Sequence, residues 1–291
     1  MKVHVIGDMN GHLAVLEQAI RDSHGDPKTG AIEAGHMIIQ TGDLITLSPN
    51  QPLESRRCME LARKMMNESP GQWIQLWGHA EAGAIGGPRM KTWKPETQLG
   101  LLAMDELHYW WTKPLAYLAV ALPVAGLGNV VITHAGITKA VWEALESPSA
   151  HDTALKLNRT LGHFPERVFR AGYQLYGESD PLVSPVWTDL NSELYPSWWN
   201  EVTPFTQIHS HLSPWWWEEK QWTPGLDPKY QERCIVDKKV RQTMTKMGDA
   251  DFSRPGVALC IDWGLEVASK EENFIPLELN VDDRFSPKSQ L

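Results

Sequence analysis

Short apolar runs that each end on a glycine followed or preceded by an aspartate or histidine constrain this chain more than any other feature. Lys2–Ile6 ends at Gly7-Asp8, His36–Gln40 at Thr41-Gly42-Asp43, and Trp73–Leu76 at Trp77-Gly78-His79. Between them, residues 11–23 place Leu13, Leu16 and Ile20 at helical spacing, and residues 53–66 do the same with Leu53, Met59, Leu61 and Met65. Strand, helix and strand in that rhythm imply an α/β layer architecture with a mostly parallel sheet. Residues 91–113 then show helical patterning around Trp93, Trp110 and Trp111, and read as a helical cap inserted at about 88–114. Further strands are expected over 115–122, 130–133, 205–208, 257–261 and 274–279. The second of these ends at His134-Ala135-Gly136 and the third runs into His209-Ser210-His211. Residues 1–281 are expected to form one domain, with 282–291 a loose polar tail.

The strand tips carry the chemistry. In open α/β sheets, ligands bind at the carboxyl ends of the strands. Asp8, Asp43, His79, His134 and the His209/His211 pair would all reach one rim. A lone residue of this kind is most often a turn or cap residue, but five strands delivering Asp or His to one rim make a metal centre the better reading. Carboxylates mixed with imidazoles suit Mn, Fe or Zn better than Mg or Ca. A carboxylate shared by two ions would hold them about 3.5–4 Å apart, as in two-metal phosphoryl chemistry.

Composition narrows the partners. The 291-residue chain has 27 Lys and Arg against 36 Asp and Glu, a net charge of −9, which argues against nucleic acid or an anionic membrane. The longest apolar run, 115–125, is interrupted by Pro123 and is too short to span a bilayer. The N-terminus lacks the apolar stretch of a signal peptide. Three cysteines, Cys58, Cys234 and Cys260, have no CxxC spacing and cannot all pair, so a reduced, cytoplasmic setting is expected. The glycines have neither P-loop nor dinucleotide spacing.

The series Gly7-Asp8-Met9-Asn10-Gly11, Thr41-Gly42-Asp43, Trp77-Gly78-His79-Ala80-Glu81, Thr133-His134-Ala135-Gly136 and His209-Ser210-His211 resembles the calcineurin-like metallophosphoesterases. It is most similar to their phosphoprotein-phosphatase branch, including bacterial relatives that cleave diadenosine tetraphosphate. Pro185-Val186-Trp187-Thr188-Asp189 resembles that branch's Trp-containing motif, and Cys260-Ile261-Asp262-Trp263-Gly264 its closing strand. The resemblance implies a four-layer α/β sandwich with two central mixed sheets flanked by helices. It implies two divalent ions bridged by an Asp and a hydroxide that attacks phosphorus, a His that protonates the leaving group, and an Arg that clamps phosphate. The metal ligands it implies here are Asp8, Asn10, Asp43, His79, His134 and either or both of His209 and His211. In an extended strand, residues i and i+2 share a face, so both histidines could reach the rim.

Several motif positions depart from the family. Asn10 stands where the first motif has His and carries no charge, so the first ion should be held more weakly than the second. Leu47 stands where the second motif has the clamping Arg, a bidentate cation that Leu cannot replace. Aligned without gaps, His79 takes the place of an Asn ligand and Ala80 that of the general-acid His. A one-residue shift would make His79 the general acid instead. Glu81 matches only without the shift. Loss of a general acid costs about 10²–10⁴-fold in rate. His12 is a substitute proton donor, set against its plainer role as a helix N-terminal residue.

The chain has 14 Trp against 6 Tyr and 6 Phe, and Trp187, Trp198-Trp199 and Trp215-Trp216-Trp217 bracket the last ligand motif. They read either as core packing or as a wall that stacks a substrate ring, with Trp187, Trp215 and Trp216 the candidates. The expectation is a phosphoesterase acting on a phosphomonoester or nucleotide phosphoanhydride. Its alternative is a pseudophosphatase that binds metal, ligand or a protein partner through the Trp face.

Overall fold

The fold was analysed in a computed structural model, which describes residues 1–46, 52–146, 148–248, 256–261 and 274–281. Strands run along the chain as β1 (Lys2–Ile6), β2 (His36–Gln40), β3 (Trp73–Leu76), β4 (Ala116–Tyr117), β5 (Ala119–Val124), β6 (Gly128–Thr133), β7 (Thr206–His209), β8 (Trp215–Trp216), β9 (Gln221–Trp222), β10 (Cys234–Asp237), β11 (Gln242–Lys246), β12 (Val257–Cys260) and β13 (Leu277–Asn280). One sheet has the order β13-β1-β2-β3-β4 and the other β10-β11-β12-β7-β6-β5, while β8 and β9 form a two-stranded ribbon.

Both sheets are mixed. β1, β2, β3 and β4 are parallel, with Lys2 opposite His36 and Ile38 opposite Trp73. β6, β7 and β12 are also parallel, with Val130 opposite Thr206 and Ala258 opposite Gln207. The antiparallel strands β13, β5, β11 and β10 lie outside these parallel runs. The mostly parallel sheet expected from the strand–helix rhythm is the first one, where only β13 is antiparallel, while in the second sheet the parallel run is limited to β6, β7 and β12. Those parallel runs are what bring several strand ends to one rim.

Alternation along the strands builds the layers. Val3, Val5, Ile39, Ile74 and Leu76 face Val120, Leu122, Val130, Ile132, Ile208 and Leu259 in one buried cluster between the sheets. On the other face of the first sheet, Ile6 and Ile38 join Leu16 and Ile20 of α1 (Leu13–Asp22) and Met59, Ala62 and Met65 of α2 (Pro52–Glu68). Each such side chain contributes about 1.5–3 kcal/mol when fully buried. After α3 (His79–Ala84), the region read as a helical cap holds α4 (Pro95–Gln98) and α5 (Leu101–Thr112).

Two expectations need correction. The run 115–122 is not one strand: β4 belongs to the first sheet and β5 to the second. The break is held by Asn158, whose Oδ1 accepts from the N–H groups of Leu118 (2.9 Å) and Ala119 (3.2 Å) while its Nδ2 donates to the Ala119 carbonyl. This satisfies the polar groups a strand switch would otherwise leave buried and unpaired. The second correction is the addition of β10 and β11: β11 has no apolar run to announce it, reading Gln-Thr-Met-Thr-Lys and burying its two threonines. The tail 282–291 and Leu47 lie outside the described residues, as do Asp262, Trp263 and Gly264.

The turn after β2 depends on Gly42, with φ +103, where an added Cβ would stand 2.4 Å from the Gly78 backbone nitrogen. Gly86 has a similar φ, +100, with open space around it. Gly42→Ala should therefore cost at least about 3 kcal/mol and Gly86→Ala about 1 kcal/mol, read by urea denaturation. Equal costs would show that the β2 turn can move away from β3.

Candidate metal centre

The parallel strands deliver their following loops to one place. Asp8 follows β1, Asp43 follows β2, His79 opens α3 after β3, His134 follows β6 and His211 follows β7. Asn10 (φ +47), Asp43 (+52) and His211 (+66) are three of the seven non-glycine residues with positive φ among those described. Backbone strain of this kind persists only where surrounding bonds enforce it, and it clusters at functional sites. Here the Asp43 carbonyl accepts from the N–H groups of Met9 (2.9 Å) and Asn10 (2.8 Å), which locks the first two loops together.

Asp43, His79, His134 and His211 each offer a donor atom, all within 4.8 Å of one another. Asp43 Oδ2 lies 2.8 Å from His79 Nδ1 and 3.6 Å from His134 Nε2, and the two imidazole nitrogens are 3.3 Å apart. Asp43 Oδ1 accepts from the Ala80 N–H at 3.0 Å. Both ring nitrogens of His211 are buried and have no hydrogen-bond partner among the described residues. A buried imidazole with no hydrogen-bond partner, beside a carboxylate and two more imidazoles, is a donor set that fits a divalent ion.

The protons report the same electrostatics. Burial alone would raise the Asp43 carboxyl, but His79 and His134 outweigh it and hold Asp43 well below the usual carboxylate range. Burial alone would lower His134, but the Asp43 and Asp8 carboxylates push it up to about 10. His211 is driven well below the ordinary histidine value by burial and by its two imidazole neighbours.

Around this group, His134 Nδ1 sits 3.0 Å from the Thr41 carbonyl, a contact that orients the ring with Nε2 toward Asp43. Asp8 is buried and not in the four-donor group. Its oxygens accept from the Ser210 hydroxyl and the His211 N–H, and burial raises its carboxyl despite His134 at 3.5 Å. Asn10 is buried beside Asp8 on the same cavity wall. The Asp189 motif braces the His134 loop: the Ala135 N–H donates to the Pro185 carbonyl (2.6 Å), and the Thr188 hydroxyl to that of Gly136 (3.0 Å).

His209 and His211 are separated. The strand ends at His209, and the left-handed backbone at His211 breaks the extended geometry on which the shared-face argument rested. His211 joins the four-donor group. His209 points elsewhere, with Nδ1 3.0 Å from the Ser210 carbonyl and Nε2 buried without a partner. Burial pushes it down to about 4. His12 sits half-buried at the start of α1 and does not line the cavity. Ala80 is fully buried and does not line it either.

The donor group opens into a cavity of about 650 Å³ lined on one side by Trp215, Trp216 and Trp217. Trp187 does not line it. Its ring is buried 4.6 Å from the His79 ring and backs that ligand. Sequence reasoning missed Met90, Tyr173 and Gln174, which also line the cavity, and the organising role of Glu193. Buried Glu193 accepts from the N–H groups of Tyr173, Asp180 and Asp189 at 2.7–2.9 Å. These loop positions carry no periodicity that would single them out.

No protein-family model matches the chain, and no curated protein does. Solved structures do. A point mutant of a cold-active protein tyrosine phosphatase superposes with a TM-score of 0.50 at 14% identity, over 95% of this chain and 74% of that one. A protein serine/threonine phosphatase from Saccharomyces cerevisiae gives 0.47 at 11% identity, over 95% and 82%. A cold-active protein-tyrosine phosphatase of a psychrophilic Shewanella gives 0.44 at 16%, over 72% of this chain and 65% of that one, just under two thirds of its length. At these identities the likeness lies in the fold alone.

Glu81 holds the centre from behind. Its buried carboxylate accepts from the N–H groups of Asp43 (2.8 Å), Gly78 (3.1 Å) and Ile45 (3.2 Å). Glu81→Ala would leave three buried donors unpaired and should destabilise the metal-free protein by about 3 kcal/mol, measured in urea. A loss below about 1 kcal/mol would mean that the loops do not depend on this carboxylate.

Proposed function

We propose that this chain is a metal-dependent phosphoesterase that hydrolyses a phosphomonoester or nucleotide phosphoanhydride. The observation that carries this reading is the pairing of the Asp43, His79, His134 and His211 donor group with a tryptophan-walled cavity that opens on it. On this reading those four residues hold one divalent ion (Mn, Fe or Zn) tightly. Asp8 and Asn10, with Asp43 shared, hold a second more loosely, because the Asp8 oxygens are already engaged by Ser210 and His211. When bound, the ions supply Lewis acidity toward phosphoryl oxygen and acidify water.

The chain's own residues restrict the substrate. Ala80 offers no proton to a leaving group, His79 is engaged with Asp43, and His12 lies off the cavity. Leaving groups that depart without a proton, such as a nucleoside polyphosphate or an aryl oxide, are therefore favoured. Trp215, Trp216 and Trp217 offer ring faces and edges against which a base could stack. No Lys or Arg is among the described residues lining the cavity, which favours a second reading, a pseudophosphatase that binds metal, ligand or a protein partner without turnover. On either reading residues 1–281 act as one unit in the cytoplasm, with 88–114 as a cap and neither nucleic acid nor membrane as partner. Among the described residues no helix is long and apolar enough to cross a membrane.

The test is to quantify bound metal and assay p-nitrophenyl phosphate, its bis-ester and dinucleoside polyphosphates with Mn²⁺. Turnover that falls about 10²-fold or more in Asp43→Asn, together with metal content, is the expected result. Tightly bound metal with no turnover on any of these substrates would leave only the binding reading. Trp216→Ala should raise KM for a dinucleotide about tenfold with kcat changed less than twofold, since stacking contributes about 1–3 kcal/mol per base. An unchanged KM would remove the tryptophans from substrate binding.

A further inference from the structure

A second group of imidazoles lies away from the cavity, at the amino-terminal end of β1 and β2. His36 opens β2, paired with Lys2 of β1, and His4 stands two residues further along β1. His24 follows α1 with φ +61, and Glu33 returns toward it from a loop closed by the Gly25–Ile32 bridge. That loop is tied by hydrogen bonds from the Glu33 N–H to the His24 carbonyl (3.0 Å) and from the Asp26 N–H to the Ala31 carbonyl (2.8 Å).

The three rings are packed against one another. His24 and His36 stack with centroids 3.9 Å apart, His4 and His36 with centroids 5.3 Å apart, and His4 lies 5.8 Å from His24. Three protonated imidazoles at these spacings would repel. Burial, and then the neighbouring His36, push His4 down to about 4, and burial followed by His24 lowers His36. The nearby acids are Glu33 and Glu278, and Glu278 is already paired with Lys2 at 2.9 Å.

We propose that His24, Glu33 and His36 form a second transition-metal site, for Zn²⁺ or an ion of similar borderline softness, with His4 holding His36 in place. A ring nitrogen of each histidine and a Glu33 oxygen lie within 4.8 Å of one another. His24 Nδ1 is 3.1 Å from Glu33 Oε2, and His4 Nε2 is 3.0 Å from His36 Nδ1. Ligand atoms around a tetrahedral zinc are about 3.3 Å apart, so the donors need small side-chain rotations to close on an ion. Two imidazoles and one carboxylate suit zinc, nickel or copper and are a poor set for magnesium or calcium. The His4 contact supplies the outer-sphere partner that ligating histidines ordinarily have. His24 and Glu33 are exposed, so an ion has an open path. Bound there, it would pin the end of α1, the 24–33 loop and the start of β2 to one another, at the end of the sheet opposite Asp8 and Asp43.

The experiment uses the untagged full chain, stripped with a chelator and titrated with Zn²⁺, with bound zinc counted by atomic emission after desalting. The background is Asp43→Asn, which weakens the cavity centre. Adding His24→Asn and Glu33→Gln should remove one further zinc per chain. Asn tolerates the left-handed backbone at position 24. A zinc count that does not fall, or a dissociation constant weaker than about 100 μM in the Asp43→Asn chain, overturns the proposal. In the same background, long-range proton–nitrogen spectra must show the His24 and His36 ring nitrogens shifting at one equivalent of zinc. Unmoved resonances overturn it whatever the stability of the variants.

Discussion

The buried carboxylate of Asp43 is the point from which the rest of the centre is organised. Its backbone N–H is held by Glu81, its carbonyl by Met9 and Asn10, and its side chain by the Ala80 N–H and the His79 ring. One residue therefore joins the loops after β1, β2 and β3. A buried carboxylate costs several kcal/mol unless it is fully bonded and faces positive charge. The left-handed backbone that presents this carboxylate is tolerable because those bonds over-determine it. The close approach of Gly42 to Gly78 leaves no room for the turn to relax.

The second sheet completes what the first begins. His134 and His211 follow β6 and β7, and they reach Asp43 because the two sheets pack face to face with the carboxyl ends of their parallel strands at one rim. The seam is polar and closed. Ser210 links Asp8 to Thr41, the His211 N–H reaches Asp8, and His134 rests on the Thr41 carbonyl. These bonds fix the relative position of the sheets at the rim. The apolar cluster of Val3, Ile39, Ile132 and Ile208 fixes it in the interior, where the force is non-directional. The hydrogen bonds supply the register and the apolar burial supplies the energy.

How much of this could be read from the chain follows from the range of each interaction. Asp8, Asp43, His79 and His134 were legible because a strand tip is a local signal, an apolar run followed by a glycine and a polar residue. The His209–His211 pair was legible only as a pair, since the choice is made by a left-handed backbone at His211 that spacing does not encode. The split of 115–122 depends on Asn158, some 40 residues away, and β11 depends on tertiary burial of Thr243 and Thr245. His4, His24 and His36 are at unrelated spacings and meet through the β1–β2 register and a returning loop. Leu47, the position where a phosphate-clamping cation was missed, falls outside the described residues.

The charge of the cavity ties the proposed chemistry to its metals. Asp8, Asp43 and Asp189 line it, and among the described residues no Lys or Arg does. Without ions such a cavity repels a phosphate, since unscreened like charges at short range in a partly buried site cost more than they would in water. On the proposed reading, the divalent ions must therefore both attract the anion and activate it, a division of labour that an Arg clamp would otherwise relieve. Uncharged contacts are then left to discriminate among phosphates, and Trp215, Trp216 and Trp217 are among those that line the cavity. On that reading a substrate that brings an aromatic ring to Trp215, Trp216 and Trp217 gains binding energy that a small phosphate cannot, so the lack of a cation among the described lining residues and the tryptophans point to the same kind of ligand.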